Sequence, residues 1–445
     1  MISLKTKWLH NGKMAISSVL KIIATGDTQP FLECISSLLL FIRDCKFKFL
    51  QPGPNQTARN PRKNNTDKEK DPCCLIAEEM LSRADVQING PRPWDISVKN
   101  TNLFHRVLNE GSLGLGESYM DGWWECEDLD EFFYRISKHR LYDYIPSRWS
   151  DIFRLAMARL INLQSKIRAR KVCDMHYNLG NDLFAQMLDP HMQYSCGYWE
   201  GASTLEEAQR NKLRMICEKL QLEPGMRLLD IGCGWGGLAE YAARNYDVTV
   251  VGVSNSSEQV ELARGRCAGL NVEILLSDYR DLDPDQQRFD RVVSVGMFEH
   301  VGPKNYDLFF SIVDRCLAPD GIFLLHTIGS NTTVTKLDDW TEKYIFPNGC
   351  LPSIQQIGGA SEKYFVMEDW HNFGADYDVT LMAWHARFLA AWPKLAHAYD
   401  ERFKRMFEYY LKSCAGSFRA RDIQVWQVVF SRGIEGGFRF PRGSS

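Results

Sequence analysis

The stretch Met226–Gly237, MRLLDIGCGWGG, decides the fold. Arg227–Ile231 is a short apolar run with Asp230 near its carboxyl end, and it reads as a buried strand. Gly232, Gly234, Gly236 and Gly237 supply a turn in which backbone approaches a ligand without Cβ clashes. Leu238–Arg244 then continues at helical spacing. Strand, glycine loop and helix in this order open a nucleotide-binding α/β fold. The spacing G-x-G-x-G-G departs from the dinucleotide fingerprint G-x-G-x-x-G, and a tight turn in any α/β protein would account for the glycines alone.

On the carboxyl side, strands are expected at Val248–Val253, Val272–Leu276, Asp290–Val295 and Ile322–His326, with helices at Glu258–Cys267 and Asn305–Leu317. Thr204–Leu220 precedes them as a long amphipathic helix, with Glu206 and Glu207 in its first turn and Lys219 in its last, as the helix dipole favours. The fold class is therefore α/β, a doubly wound Rossmann-like domain. After His326, roughly forty residues interrupt the alternation, a length typical of a functional lid. Glu368–Phe373 reads as an added strand and Ile423–Phe430 as the final one. Between them lie helices at Asp376–Ala391 and Pro393–Cys414, separated at Pro393 because proline cannot sit in a helix interior.

On the amino-terminal side, Cys73–Arg83 reads as a helix and Val86–Val98 as two short strands turning at Pro91 and Pro93. Gly111, Gly114 and Gly116 break the chain before Trp123 and Trp124, which read as core residues ahead of lipid contacts. Asp128–Ile136 and Leu155–Arg170 are helical, the second ending in a basic stretch. These residues make a smaller α+β domain, 73–170, before a catalytic domain, 171–445. Gln51–Asp71 has almost nothing to bury and reads as a disordered linker, so 1–72 is a basic extension. Its best apolar run, Cys34–Ile42, is far short of the ~20 residues that span a bilayer. A frayed amphipathic segment and a membrane-surface helix are the two readings of that run.

The composition, 44% apolar and 24% charged, is that of an ordinary soluble protein. Residues 1–70 hold 12 Lys/Arg against 5 Asp/Glu, a surplus of 7, so the net charge of −3 leaves −10 for the remainder. A body of that sign argues against a nucleic-acid groove. Thirteen cysteines without a C-x-x-C pair read as reduced thiols of a cytosolic protein, and no His/Cys spacing suggests a metal.

The second strand of the glycine-loop unit ends Gly252-Val253-Ser254-Asn255, without the carboxylate that holds a ribose diol in dehydrogenases. A diol would fall to Ser254 and Gln259. Ser277-Asp278-Tyr279-Arg280 follows the third strand, where an acidic side chain meets an adenine amino group and an aromatic ring stacks on the base. Glu299, in GMFEH, leaves the fourth strand into the crevice; His326 ends the fifth; Cys196 lies between Ser195 and Gly197. Taken singly, each is an ordinary structural residue, but doubly wound topology brings all three to one strand-end edge.

LDIGCG resembles motif I of S-adenosylmethionine-dependent methyltransferases, whose cofactor has no pyrophosphate, so the loop serves close approach to adenosine and sulfonium. From Ala77 to Gly433 the chain resembles the bacterial cyclopropane-fatty-acyl-phospholipid synthases, in phrases as long as GSLGLGESYMDGWWE, HYNLGNDLF, MQYSCGYW, LDIGCGWGGLA, VSVGMFEHVGPKNY, GIFLLHTIGS, YIFPNGCLPS, EDWHNFGADYD and CAGSFRARDIQ. The resemblance implies methylene transfer from S-adenosylmethionine to the cis double bond of an unsaturated acyl chain in a membrane phospholipid. It implies cofactor contacts at Tyr194, Ser195, Leu228, Leu229, Asp230, Ile231, Gly232, Cys233, Gly234, Trp235, Gly236, Ser254, Asn255, Ser256, Ser257, Glu258, Gln259, Tyr279 and Arg280. It implies a bicarbonate ion held by Cys196, Glu299, His326, Tyr377 and the backbone of Ile328, with Cys414 a further active-site cysteine. It further implies a cytoplasmic enzyme bound peripherally to the inner membrane surface, and leaves a homodimer open. The rival readings are a C-methyltransferase acting on another unsaturated lipid without ring closure, and a cofactor-binding scaffold that has lost catalysis. The scaffold predicts damage at Cys196, Glu299, His326 or Tyr377, and all four are intact.

An extension with so little to bury adds nothing to the packed body. Deleting residues 1–72 is expected to leave the melting temperature and the turnover nearly unchanged, as calorimetry and a radiolabel assay would show.

Overall fold

A computed structural model describes residues 71–144, 180–283, 288–334 and 336–440. Contacts divide the chain into Met1–Glu69 and Lys70–Ser445, and the second is described here. The extension, the helix expected at Leu155–Arg170 and the border expected near residue 170 lie outside the described residues.

The chain begins with α1 (Pro72–Ser82), β1 (Ser97–Val98), α2 (Asn102–Glu110), α3 (Ser112–Met120), β2 (Trp124–Glu125) and α4 (Leu129–Lys138). After α5 (Asn181–Met187) and α6 (Leu205–Lys219) come β3 (Arg227–Ile231), α7 (Gly237–Tyr246), β4 (Thr249–Ser254), α8 (Ser257–Arg266) and β5 (Val272–Leu276). They are followed by β6 (Phe289–Val295), α9 (Tyr306–Cys316) and β7 (Leu317–Ser330). The last elements are α10 (Asp339–Tyr344), α11 (Ile354–Ser361), β8 (Val366–Asn372), α12 (Ala375–Leu395), α13 (Glu401–Arg419) and β9 (Ile423–Ser431).

Seven strands form one sheet in the order β5-β4-β3-β6-β7-β9-β8. The strands from β3 to β7 run parallel, and β9 is antiparallel to both β7 and β8. Alternate residues along each strand face opposite sides. Leu229, Ile231, Val251, Val253 and Phe323 pack on α9 and α11 through Phe309, Phe310, Val313 and Ile357. Leu228, Val250, Val293 and Leu324 pack on the other side, against Leu213 and Ile216 of α6, Ala239 of α7 and Val260 of α8. This two-sided burial is why the strands read as nearly continuous apolar runs. A third core joins Phe104, Trp124, Phe132 and Phe133 to Trp384, Phe388, Phe407 and Tyr409, so the amino-terminal helices are packed on α12 and α13.

Thr204 caps α6 in a reciprocal box with Glu207, which fixes the start of that helix. Three local expectations need correction. Of Val86–Val98, only Ser97–Val98 is strand, paired with β2, plus a single bridge between Ile88 and Ile96. Pro91 and Pro93 have no N–H for a ladder. The buried Asp95 carboxylate instead takes the N–H groups of Gln87 and Arg92, at 2.7 and 3.1 Å.

The second correction concerns the glycines. Only Gly111 separates helices; Gly114 and Gly116 lie within α3. A Cβ on Gly114 would stand 2.5 Å from the Arg106 carbonyl oxygen, and one on Gly116 would stand 2.2 Å from Trp340 Cδ1. These glycines admit neighbours and do not end the helix. Third, α12 runs through Pro393 to Leu395. The bond Pro393 cannot make is to the carbonyl of Leu389, a partly exposed residue in the last turns, so the break comes after the proline.

Trp124 is fully buried and donates Nε1–H to the Leu115 carbonyl at 3.1 Å, as a core residue should. Trp340 fills the notch left by Gly116, with its ring 4.4 Å from Tyr409. Gly116→Ala is therefore expected to lower stability by about 1–3 kcal/mol through overpacking, measurable by denaturant unfolding.

Candidate active site

The carboxyl ends of the parallel strands open into a cleft lined by Asp230–Trp235 after β3, Ser254, Asn255 and Gln259 after β4, Ser277–Arg280 after β5, and Gly296 and Met297 after β6. Tyr194 and Ser195 close it from the amino-terminal side, and Pro347 and Asn348 from the long segment after β7. The glycines divide their work. Gly234 has φ +54° and faces open space, which leaves its backbone bare to the cleft. Gly237 instead admits the chain beside it: a Cβ there would lie 1.9 Å from the His191 carbonyl oxygen. The fourth glycine thus serves packing, contrary to the reading of the whole loop as ligand approach.

Ser254 donates its hydroxyl to Gln259 Oε1 at 3.1 Å, so the two candidates for a ribose diol are tied together at the cleft wall. Asp278 is held by Arg280, through Nε at 2.7 Å and Nη2 at 2.6 Å, and by Asn255 at 3.3 Å. These bonds keep its carboxyl below the usual range despite burial. Asp230 is buried, its Oδ2 has no hydrogen-bond partner, and burial pushes its carboxyl up to about 7. Six predicted residues turn away from the cleft or sit beside it. Leu228 and Leu229 are core residues of β3, and Gly236 lies against Ala263 of α8. Ser256 caps α8, while Ser257 and Glu258 begin that helix.

A second cavity of ≈ 890 Å³ adjoins the cleft and shares Tyr194, Ser195, Gly296 and His300 with it. Glu299, His326, Ile328, Tyr377 and Cys414 line it near the cleft. Ala77, Met80, Leu81, Phe104, Phe132 and Leu141 line it in the amino-terminal helices. Leu337, Trp340, Phe346 and Leu351, from the segment after β7, line it too, and that segment therefore borders both spaces.

The Glu299 position follows from strand lengths. β6 pairs with β7 up to Val295 opposite His326, and Gly296 N–H donates to the His326 carbonyl at 2.9 Å. β7 continues to Ser330, so its next inward-facing N–H, that of Ile328, has no β6 partner. Glu299 Oε1 takes it at 2.6 Å. The other oxygen, Oε2, is buried without a partner, and burial pushes the carboxyl up to about 7. Burial holds His326 neutral, well below its ordinary pKa, with Gln427 Nε2 3.4 Å from its Nδ1. Burial likewise raises the Tyr377 hydroxyl, whose ring lies 4.5 Å from Phe418. Cys414 is raised to about 12.

Cys196 is fully buried with Sγ donating to the Gly197 carbonyl at 3.2 Å, and it is not among the residues lining either space. Its segment is clamped on α12, where Thr380 Oγ1 accepts the Gly197 N–H at 3.1 Å and Asp376 Oδ2 accepts the Trp199 N–H at 2.7 Å. Met192, Gln193, Met297, His300, Val301, Pro347 and Asn348 line the cleft without having been singled out. His300 could have been found, being the last residue of GMFEH; Pro347 and Asn348 reach the cleft only through the tertiary path of the chain. Asp71, Cys73 and His105 place donor atoms within 4.8 Å of one another, outside both spaces.

The sheet order, the bare-backbone loop after β3 and the strand-end cleft define an S-adenosylmethionine-dependent methyltransferase. Residues 164–428 match the family model of mycolic acid cyclopropane synthetase. The chain is 67% identical over 367 residues to the cyclopropane-fatty-acyl-phospholipid synthase of Escherichia coli (strain K12), across 82% of this chain and 95% of that one. It is 37% identical over 363 residues to a probable fatty acid methyltransferase of Pseudomonas putida, across 76% and 88%. Among solved structures, mycolic acid cyclopropane synthase CmaA1 complexed with SAH and CTAB matches with a TM-score of 0.55 and 34% identity, over 59% of this chain and 97% of that one. Cyclopropane synthase MmaA2 from Mycobacterium tuberculosis matches with a TM-score of 0.54 and 32% identity, over 59% and 97%. The chain belongs to the cyclopropane synthase family of S-adenosylmethionine-dependent methyltransferases.

The buried Glu299 carries a stability signature. It ionises near 4.5 when unfolded and near 7 when folded, so the folded state binds the proton more tightly between those values. Its contribution to stability therefore falls as pH rises through that window. Glu299→Gln is expected to be more stable than the parent at pH 8 by roughly 1–3 kcal/mol in denaturant unfolding, and no more stable at pH 4.

Proposed function

We propose that the protein transfers a methylene group from S-adenosylmethionine to the cis double bond of an unsaturated acyl chain in a membrane phospholipid, closing a cyclopropane ring with the help of a bound bicarbonate ion. The supporting observation is the apolar ≈ 890 Å³ cavity that meets the strand-end cleft at Tyr194, Ser195, Gly296 and His300. It gives an acyl chain room to lie with one carbon pair at the junction.

An isolated alkene is a feeble nucleophile, so alignment must supply much of the rate. S-adenosylmethionine, when bound, supplies a methyl group on a positively charged sulfur. The chain's own residues set the geometry around it. The loop at Gly232–Gly234 and the pair Ser254–Gln259 hold the nucleoside end, while Tyr194 stands between the cleft and the cavity. Tyr194 is fixed by a 3.0 Å hydrogen bond to the Tyr410 hydroxyl and by the Trp384 ring at 5.2 Å. Tyr194, Tyr377 and Phe418 line the cavity, and a ring face turned to positive charge developing on the acyl chain stabilises it by roughly 0.5–2 kcal/mol.

Ring closure requires a proton to leave the new methyl group. Glu299 Oε2, buried and without a partner, seeks a donor; Tyr377 offers a hydroxyl; His326 is held neutral. A small protonated anion such as bicarbonate satisfies this set, and when bound it supplies a proton acceptor. Cys196 serves from behind, by fixing the backbone between Ser195 and Gly197. A charged side chain placed directly against a carbocation would risk being alkylated by it, which favours a held ion over a bare carboxylate.

The membrane side of the proposal rests on α1. Its Ala77, Met80 and Leu81 line the cavity, while its Leu75 and Ile76 are 49% and 47% exposed. Exposed apolar side chains on a helix that also lines an acyl cavity suit an enzyme that draws substrate from a lipid surface. No helix among the described residues is long and apolar enough to cross a membrane.

The test is incubation with unsaturated phospholipid vesicles and methyl-labelled S-adenosylmethionine, followed by mass spectrometry of the lipids. A saturated cyclopropane product is expected; a methylated product without the ring would favour the C-methyltransferase reading instead. Glu299→Gln and His326→Ala are expected to keep cofactor binding and lose at least ~10²-fold in turnover. Stripping carbon dioxide should slow the parent enzyme and added bicarbonate should restore it. A rate indifferent to bicarbonate, with an active Glu299→Gln variant, would remove the ion from the mechanism.

A further inference from the structure

Lys212 is fully buried, on the face of α6 that packs against the sheet. A buried lysine must find acceptors or an opposite charge, since an unpaired one is costly. Its Nζ donates to Gln193 Oε1 and, at 3.1 Å, to Ser195 Oγ. Both acceptors line the cofactor cleft, and Ser195 lines the acyl cavity as well. Lys212 lines neither, so it reaches the site only through other residues.

The lysine also lies on the side of the sheet to which Asp230 is directed. Leu228, two residues before Asp230 on β3, packs with Leu213 and Ile216 of α6 in one core. Alternation therefore puts the Asp230 carboxyl toward α6. That carboxyl has a buried, unpartnered Oδ2 at the cleft wall. The Lys212 charge opposes the effect of burial on it, and Asp230 in turn supports the charge on Lys212, whose ammonium burial brings down to about 8. Neighbouring bonds keep the acceptors in place. Gln209, one turn before Lys212, donates Nε2–H to the Ser195 carbonyl at 2.8 Å, and Gln193 N–H is held by Asp189 at 2.8 Å.

We propose that Lys212 is a positioning residue for S-adenosylmethionine: through Gln193, Ser195 and Asp230 it fixes the wall of the cleft that meets the cofactor. The role is one of ground-state binding. Lys212 touches neither acyl chain nor reacting atoms, so its loss should raise KM for the cofactor and spare kcat. A residue that merely stabilised the fold would lower the melting temperature and the active fraction, without a selective change in cofactor KM.

The inference rests on assigning the strand-end cleft to S-adenosylmethionine, and the experiment separates the two. In the full-length enzyme, Lys212→Met keeps most of the unbranched side chain and removes its charged end. KM for S-adenosylmethionine is expected to rise at least about tenfold, as for loss of hydrogen bonds from a charged donor, with kcat within about threefold and lipid KM unchanged. Gln193→Leu should raise the same KM, and the double variant should cost less than the product of the two single effects, because the two residues act as a unit. A folded Lys212→Met with unaltered cofactor KM, or with strictly multiplicative effects, overturns the proposal. Should Lys212→Met fail to fold, Ser195→Ala, which removes one acceptor, must still show the selective rise in cofactor KM or the proposal falls. Gly234→Val is the control for the assignment itself: if it leaves S-adenosylmethionine affinity unchanged, the cleft assignment fails, whatever Lys212 does.

Discussion

β7 is longer than the strand beside it, and the catalytic end of the molecule depends on that inequality. A parallel ladder satisfies each inward N–H with a carbonyl of its neighbour, and where β6 stops at Val295 the supply ends. A buried N–H without an acceptor is expensive. The 3-10 turn at Phe298–His300 answers by turning Glu299 back toward β7, where one carboxylate oxygen takes the Ile328 N–H. The second oxygen is then left buried and without a partner at the wall of the cavity that Glu299 lines. A carboxyl anchored by a structural bond yet left with a free, desolvated oxygen is both poised near neutrality and fixed in direction.

The same economy appears on the cofactor side. Asp230, at the cleft wall, keeps one oxygen buried and unpartnered, and the cation that offsets its burial, Lys212, comes from the helix behind the sheet. Two buried carboxyls, one on each side of Tyr194 and Ser195, thus carry pKa values near 7 for one reason, desolvation, with different partners holding them. Buried groups of this kind work against folding and are paid for by the aromatic cores around them. Trp124, Trp340, Trp384, Phe132 and Phe184 are all fully buried, each contributing on the order of a few kcal/mol.

The amino-terminal helices share in the site. Their apolar faces supply one end of the acyl cavity, and the segment after β7 is fastened to them by Trp340 in the Gly116 notch. Glu117 adds to the fastening: it accepts from Lys343 at 2.5 Å, from the Tyr344 hydroxyl at 2.8 Å and from Arg106. The cavity therefore exists only where these layers meet, and its walls are drawn from residues as distant in the chain as Met80 and Phe418.

The sequence by itself determined the sheet. Leu228–Ile231 and Val250–Val253 are nearly all apolar because both their faces are covered, and that pattern is visible without coordinates. It also determined the strand-end edge, because Gly234, Ser254, Tyr279 and Glu299 each follow or end a strand in a topology that gathers such ends, while His326 lies within β7 opposite the last residue of β6. What the sequence could not decide was direction and neighbour. Gly116 and Gly237 read as turns but are notches for Trp340 and for the His191 carbonyl, since a missing Cβ looks the same whether it frees a backbone angle or admits a side chain. Cys196 is one residue from Ser195, yet its thiol turns to its own chain while Ser195 faces both spaces. Asp95 replaces a strand ladder with a side chain. In each case the outcome rests on which atoms arrive from far along the chain, and only the packed structure decides that.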